Sequence, residues 1–175
     1  MKSIKSIYPD LCYIIGTFFG IGLIKYAPGT FASLVTALIW FLVPEYYFYN
    51  PSEGTIYYDS YLLLTGAIIL FGWLAVHVST VCEKKFGTDA GCIVIDEVFG
   101  YLVAILFLPK TPMVALYAFI MFRVFDISKP LFIKKIQDLP QGWGVMLDDI
   151  GAGIVSNILI QFLYIIKPEF FTWNL

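Results

Sequence analysis

From Ser60 to Cys82 the chain runs for 23 residues without a charged side chain. A helix over that stretch is about 34 Å long, enough to cross the roughly 30 Å hydrocarbon core of a bilayer. The run does not stand alone. Residues 30–48, 92–108, 113–127 and 150–166 form further apolar runs divided by short polar breaks. All are continuous rather than alternating. Helices are therefore expected, not barrel strands, because each helix satisfies its own backbone polar groups in lipid. The last three runs are short for a span and need tilt, flanking residues or local thinning. The expected fold is all-α: a polytopic transmembrane bundle of about five helices in one domain, residues 1–175.

Composition agrees. Hydrophobic residues make up 59% of the 175 and charged residues only 14%, with a mean hydropathy of +0.82. A formal charge of −2 leaves no broad basic surface for a nucleic acid. Cys12, Cys82 and Cys92 have no CxxC spacing and read as buried free thiols. Lys2 and Lys5 followed by apolar residues 11–24 mimic a signal peptide. Gly16, Gly20 and Gly22 interrupt that run, however, and "KYAPGT" is no convincing cleavage site. The segment is expected to stay as a re-entrant or interfacial element.

Lysine and arginine set the orientation. If residues 30–48 run outward, the cytoplasmic connections carry Lys25, Lys84, Lys85, Lys129, Lys134 and Lys135. The loop 49–59 carries no Lys or Arg. Tyr46, Tyr47, Tyr49, Tyr57, Tyr58 and Tyr61 flank that outer loop, and Trp173 lies in the outer tail, as an interfacial aromatic belt would require. His77, the sole histidine, lies mid-span and reads as structural.

On this topology the unusual polar residues reach one level, near the cytoplasmic interface. Thr30 and Ser33 open the first run, and Asp96 and Glu97 lie about one turn inside the third. Arg123 and Asp126 close the fourth with Lys129 just beyond, and Asp148 and Asp149 open the fifth. Two ionised carboxylates about 5 Å apart repel by roughly 3 kcal/mol at an effective dielectric near 20. Five converging carboxylates need protons or cations, and one Arg and one Lys do not neutralise them. A hard divalent ion does, and magnesium or calcium suits an all-carboxylate site. Simpler readings exist for single pieces: Asp148 and Asp149 as residues at a helix start, Arg123 and Asp126 as an (i, i+3) ion pair, and Gly151 and Gly153 as packing glycines. Intramembrane ionisable residues nevertheless point to function. The start of a helix at "APGTFAS" also offers unpaired N–H groups to a phosphate.

The blocks "PGTFAS" (28–33), "IVIDE" (93–97), "FRVFDISKP" (122–130) and "GWGVMLDDIGAG" (142–153) resemble, in order and spacing, the bacterial phosphatidylglycerophosphatase A family. The resemblance implies a magnesium-dependent, multi-pass inner-membrane enzyme with its site facing the cytoplasm. Its substrate would be phosphatidylglycerophosphate in the cytoplasmic leaflet, with membrane lipid as surroundings and no obligate protein partner. The product would be phosphatidylglycerol. The family's functional acidic positions fall on Asp96, Glu97, Asp126, Asp148 and Asp149, as magnesium ligands and catalytic groups; Asp89 resembles the acid that often precedes the Asp-Glu block. Thr30, Ser33, Arg123 and Lys129 are the expected substrate-binding residues. Phe132 stands where the family usually has a second proline, and Gln141 where it has a first glycine; neither change removes an oxygen ligand or a cation.

Other phosphatase chemistries lack their residues. No Cys-x5-Arg, no Asp-x-Asp pair and no second histidine occurs. A CDP-alcohol transferase would need an Asp-Gly-x-x-Ala-Arg block, and Arg123 is the only arginine. The alternative from another class is a divalent-cation channel or transporter using the acidic cluster as its ion site. A conducting path would place polar residues through the full membrane depth.

Overall fold

The long uncharged run is the core of α3, Tyr58–Phe86. Asp59 in its first turn and Lys84 and Lys85 in its last complement the helix dipole, and Gly87 ends it in a positive-φ conformation (φ 98°). The computed structural model describes residues 4–44, 49–50, 55–88, 90–129, 139 and 142–171. Among these, α1 is Ile4–Gly16, α2 Pro28–Leu42, α4 Ile95–Ile105, α5 Pro112–Ser128 and α6 Gly142–Ile166. Short 3-10 turns lie at Ile21–Leu23 and Pro168–Phe171. The two-residue segments β1, Tyr49–Asn50, and β2, Thr55–Ile56, pair antiparallel between α2 and α3. The all-helical expectation holds. Asp89, Phe132, Lys134, Lys135, Gln141, Tyr46, Tyr47 and Trp173 lie outside the described residues.

Boundaries differ from the apolar runs for local reasons. The run 30–48 is helical only to Leu42, because Pro44 disfavours helix at the residue before it. Pro28 and Pro112 take the first position of α2 and α5, where a missing N–H costs nothing. Thr111 caps α5, its Oγ1 accepting from Val114 N–H at 3.1 Å. The segment 11–24 is not one helix. It breaks after Gly16 at a turn where Phe18 and Phe19 take positive φ (45° and 56°).

Among the described residues, only α3 and α6 are long and apolar enough to cross a bilayer on their own. The run 92–108 is helical over 11 residues, about 16 Å, so α4 is at most half a span. Its last carbonyls meet a side chain from another helix: Asn157 Nδ2 donates to Val103, Ala104 and Leu106 O at 3.2, 3.0 and 2.8 Å. The orphan acceptors of a helix end are thereby satisfied inside the protein.

That short helix sits at the centre, touching α2, α3, α5 and α6. It crosses α6 at a pair of glycines: a Cβ on Gly153 would collide with the Gly100 carbonyl, and one on Gly100 would lie 2.8 Å from the Asp149 carbonyl. The two backbones approach as only small residues permit. One face of α4 packs Val98 and Phe99 against Ala75, Val76 and Met146; another packs Tyr101 and Ile105 against Phe122, Ala152 and Ile160. Outside the bundle, α3 exposes Leu62, Leu63, Ile69, Leu70, Trp73 and Leu74. An apolar exterior of that extent suits lipid rather than water.

Candidate functional site

The first turn of α4 carries Asp96 and Glu97, since the helix starts at Ile95. Asp96 Oδ1 accepts the Glu97 N–H at 3.1 Å, one of the donors left free at a helix start. Asp148 and Asp149 were expected to open their helix. They lie nearly two turns inside α6, because that helix begins at Gly142, whose N–H donates to Thr80 Oγ1 on α3 at 3.1 Å. The simpler reading as residues at a helix start therefore fails for this pair and describes Asp96 and Glu97 better.

The four polar segments do meet at one end of the bundle. Asp96, Glu97 and Asp149 bring one carboxylate oxygen each within 4.8 Å of one another. Asp96 and Asp149 are buried and Glu97 nearly so. Asp126 on α5 lies close enough to interact electrostatically with Asp149. Two cations stand beside the cluster. Arg123 Nη1 lies 2.7 Å from Asp126 Oδ2, and Lys129 Nζ lies 2.6 Å from Asp148 Oδ2. Lys129 takes a left-handed conformation (φ 38°) where α5 ends.

Of the five expected carboxylates, three thus form the tight group, while Asp126 and Asp148 each face a cation as well. Two ionised groups at 4.8 Å repel by about 3.5 kcal/mol at an effective dielectric near 20. Two cations against five carboxylates leave that repulsion only partly offset. Among the described residues, Glu97 Oε2 and Asp149 Oδ2 are buried without a hydrogen-bond partner, as is Arg123 Nε. Buried orphan oxygens of this kind normally call for an ion or a water. An all-oxygen donor set with unsatisfied atoms fits a hard divalent cation such as magnesium.

The start of α2 lies against the same cluster. A Cβ at Gly29 would fall on the carboxylate of Glu97, so only glycine leaves that side chain its place. Thr30, the next residue, is half-buried. Ser33 is fully buried and donates to Gly29 O at 2.9 Å, the usual (i−4) back-bond of a helical serine. Its hydroxyl proton is thus directed at the backbone rather than at a ligand. His77 is exposed on α3, in contact with the Tyr8 hydroxyl on α1, and is not in the cluster. Cys12, Cys82 and Cys92 are free, the first two buried. Gly29 had no individual signal in the sequence beyond a Pro-Gly pair, and Asn157 and Thr80 had none, because each acts on a helix far away in the chain.

Residues 14–164 match the family model described as Phosphatidylglycerophosphatase A. A protein of Bacteroides thetaiotaomicron named "Putative phosphatidylinositol-3-phosphatase" is 35% identical over 84% of this chain and 89% of its own. Proteins named phosphatidylglycerophosphatase A from Haemophilus influenzae and Escherichia coli are 30% and 28% identical. The first alignment covers 91% of both chains; the second covers 86% of this chain and 82% of the relative. No solved structure matches. The matched region contains all five carboxylates and both cations, and the chain belongs to the phosphatidylglycerophosphatase A family of phosphatases.

Proposed function

We propose that the protein hydrolyses the terminal phosphate monoester of phosphatidylglycerophosphate, giving phosphatidylglycerol and inorganic phosphate. The observation that carries this reading is the convergence of Asp96, Glu97 and Asp149, with two orphan buried oxygens, beside Arg123 and Lys129. The five apolar helical segments α2 to α6 would lie in the bacterial inner membrane as a multi-pass bundle, with α4 as a half-span and the acidic end facing the cytoplasm. The lysines on that side, Lys25, Lys84, Lys85 and Lys129, support this orientation.

Asp96, Glu97 and Asp149 would hold magnesium, with Asp126 and Asp148 adjacent. When bound, the ion would supply neutralisation of phosphate charge and a more acidic water. The chain's own residues do the rest. Arg123 offers a planar fork to phosphoryl oxygens, and Lys129 a mobile point charge. Thr30 and the Gly29 N–H at the start of α2 would hold the head group. Hydrolysis forms a bond from water oxygen to phosphorus and breaks the bond from phosphorus to the glycerol oxygen. One cluster carboxylate takes the proton that water loses, and the departing oxygen gains one.

The Bacteroides relative's name favours a second head group, an inositol lipid bearing a phosphate monoester. The same carboxylates and cations would serve it; only the head-group contacts would differ. The comparisons give the cation-channel alternative no support. The test is phosphate release by purified protein from phosphatidylglycerophosphate and from phosphatidylinositol 3-phosphate in parallel, with magnesium and after chelation. Release from the first substrate that stops on chelation and returns with magnesium is expected. A folded preparation that releases phosphate from neither lipid would sink the enzyme reading. Release that survives complete chelation would remove the metal.

A further inference from the structure

A second feature of the bundle begins beside the acidic cluster and carries no charge. An apolar cavity of about 310 Å³ lies between α2, α3 and α4, lined among others by Phe18, Trp40, Ile68, Phe71, Val98 and Leu102. Thr36 is its one hydroxyl-bearing lining residue, and that hydroxyl donates to Ala32 O at 2.8 Å. The Thr36 hydroxyl is therefore already bonded, and the other lining residues are apolar or aromatic. Water would gain nothing there; a hydrocarbon would.

The cavity and the acidic site share two helices. Val98 directly follows Glu97 in α4, and Leu102 lies one turn further from the cluster. On α2, Gly29 abuts Glu97, while Thr36 and Trp40 line the cavity two to three turns on. The cavity thus starts within a turn of the carboxylates and runs away from them along the helix axes. Its lining includes Phe18, held in the left-handed region (φ 45°), where a bulky residue is uncommon. Strain of this kind persists where the surroundings require a particular placement. At 310 Å³ the space lies at the lower end for small-molecule pockets, about 300–1,000 Å³.

We infer that this cavity holds one acyl chain of the lipid substrate and so positions the phosphate at the carboxylate cluster. The inference rests on the lipid-phosphatase reading above. An apolar file that starts at a phosphate site suits a molecule whose apolar chains join its phosphate-bearing head. It also explains a selectivity that the cluster alone lacks, because carboxylates, Arg123 and Lys129 act on any phosphate monoester. A second apolar cavity, of about 280 Å³ and lined by Tyr117, Met121, Ile160, Leu163, Phe170 and Phe171, serves as an internal control. Its α6 residues lie eleven or more positions beyond Asp149.

The test fills each cavity. Ile68→Trp and Leu102→Trp are compared with Leu163→Trp on two substrates with the same phosphate-bearing head group, one dioleoyl and one dihexanoyl. Filling the first cavity removes burial of several methylenes, so KM for the dioleoyl lipid should rise by about tenfold or more with kcat nearly unchanged. The dihexanoyl lipid should be hardly affected, and Leu163→Trp should match the wild type on both. Wild-type KM for the dioleoyl lipid in both cavity variants would overturn the inference. Should either variant fail to fold, photolabelling of the wild-type protein decides. A lipid phosphate monoester with a diazirine in its acyl chain should label peptides containing Ile68 or Leu102, and labelling confined to other surfaces would overturn it. Labelling does not depend on turnover. A labelled cavity without phosphate release therefore supports this inference while refuting the proposed reaction.

Discussion

Replacing Gly29 by alanine separates what the site needs from what the fold needs. The new Cβ would fall on the Glu97 carboxylate and come within 2.7 Å of Cδ and 3.0 Å of Cγ. Backbone does not have to move, since the obstructed atoms are the free end of a flexible side chain. The carboxylate can swing aside at small cost. Alanine in the first turn of α2 also regains part of the roughly 1 kcal/mol by which glycine disfavours a helix. Stability should therefore stay level or rise slightly. Function should not. Glu97 would leave the group in which its oxygen sits within 4.8 Å of those of Asp96 and Asp149. A displacement of about 1 Å in a catalytic constellation can cost about 100-fold in rate. The assay is kcat/KM for phosphate release in defined mixed micelles, alongside the thermal midpoint of the same preparation. A loss of about 100-fold with an unchanged midpoint is expected. Activity within twofold of wild type would show that Glu97 can leave the cluster without consequence, and the assignment of its carboxylate to the site would fall.

Three further perturbations address the cluster, its cation and its scaffold. Asp149→Asn keeps the shape but removes a charge from a group whose members repel by about 3.5 kcal/mol per pair; activity should drop by at least about 100-fold while the metal-free protein becomes no less stable. Loss of folding in the calorimeter would contradict the repulsion argument. Lys129→Met removes the cation paired with Asp148, which is buried, so the protein should lose about 1–3 kcal/mol, and adding Asp148→Asn should recover most of it. A double variant as unstable as the single would show that the pair is not coupled. Asn157→Leu removes the side-chain donor shared by three carbonyls at the end of α4, of which Val103 O also accepts the Leu106 N–H. The Asn157 amide has only two hydrogens, and polar contacts between membrane helices average about 0.6 kcal/mol, with a maximum near 1.7. A cost of about 0.6–1.7 kcal/mol in detergent unfolding is expected, and an unchanged transition would mean that α4 ends without help from α6.

The helical character of the fold was legible because long, continuous apolar runs leave few other solutions. Each expected apolar run contains a helix among the described residues, and a helix satisfies its own backbone polar groups. The helix ends were less legible. The proline at position 44 that stops α2 is visible in the sequence, but the stop of α4 is not. Residues 92–108 are apolar almost throughout, and helix propensity alone gives no reason to halt at Ile105. The halt is paired with Asn157, more than fifty residues away, whose amide accounts for the released carbonyls. The candidate site was legible as a set of segments, because charge near lipid is costly enough to stand out. Its inner division was not, since it depends on how far each helix is rotated.

That rotation gives the two acidic doublets different fates. Successive side chains on a helix diverge by about 100°, so adjacent carboxylates cannot both face one point from the middle of a helix. Asp148 and Asp149 sit nearly two turns inside α6 and obey this: Asp149 turns toward Asp96 and Glu97, and Asp148 toward Lys129. Asp96 and Glu97 escape it because they occupy the first turn of α4, where Glu97 is long enough to reach back and α2 leaves room at Gly29. The crossing of Gly100 and Gly153 fixes the relative rotation of the two helices, since a Cβ at either position would strike backbone of the other helix. A pair of packing glycines about one turn from the carboxylates therefore decides which member of the α6 doublet enters the cluster. Identical spacing on helices free to rotate would leave that choice open.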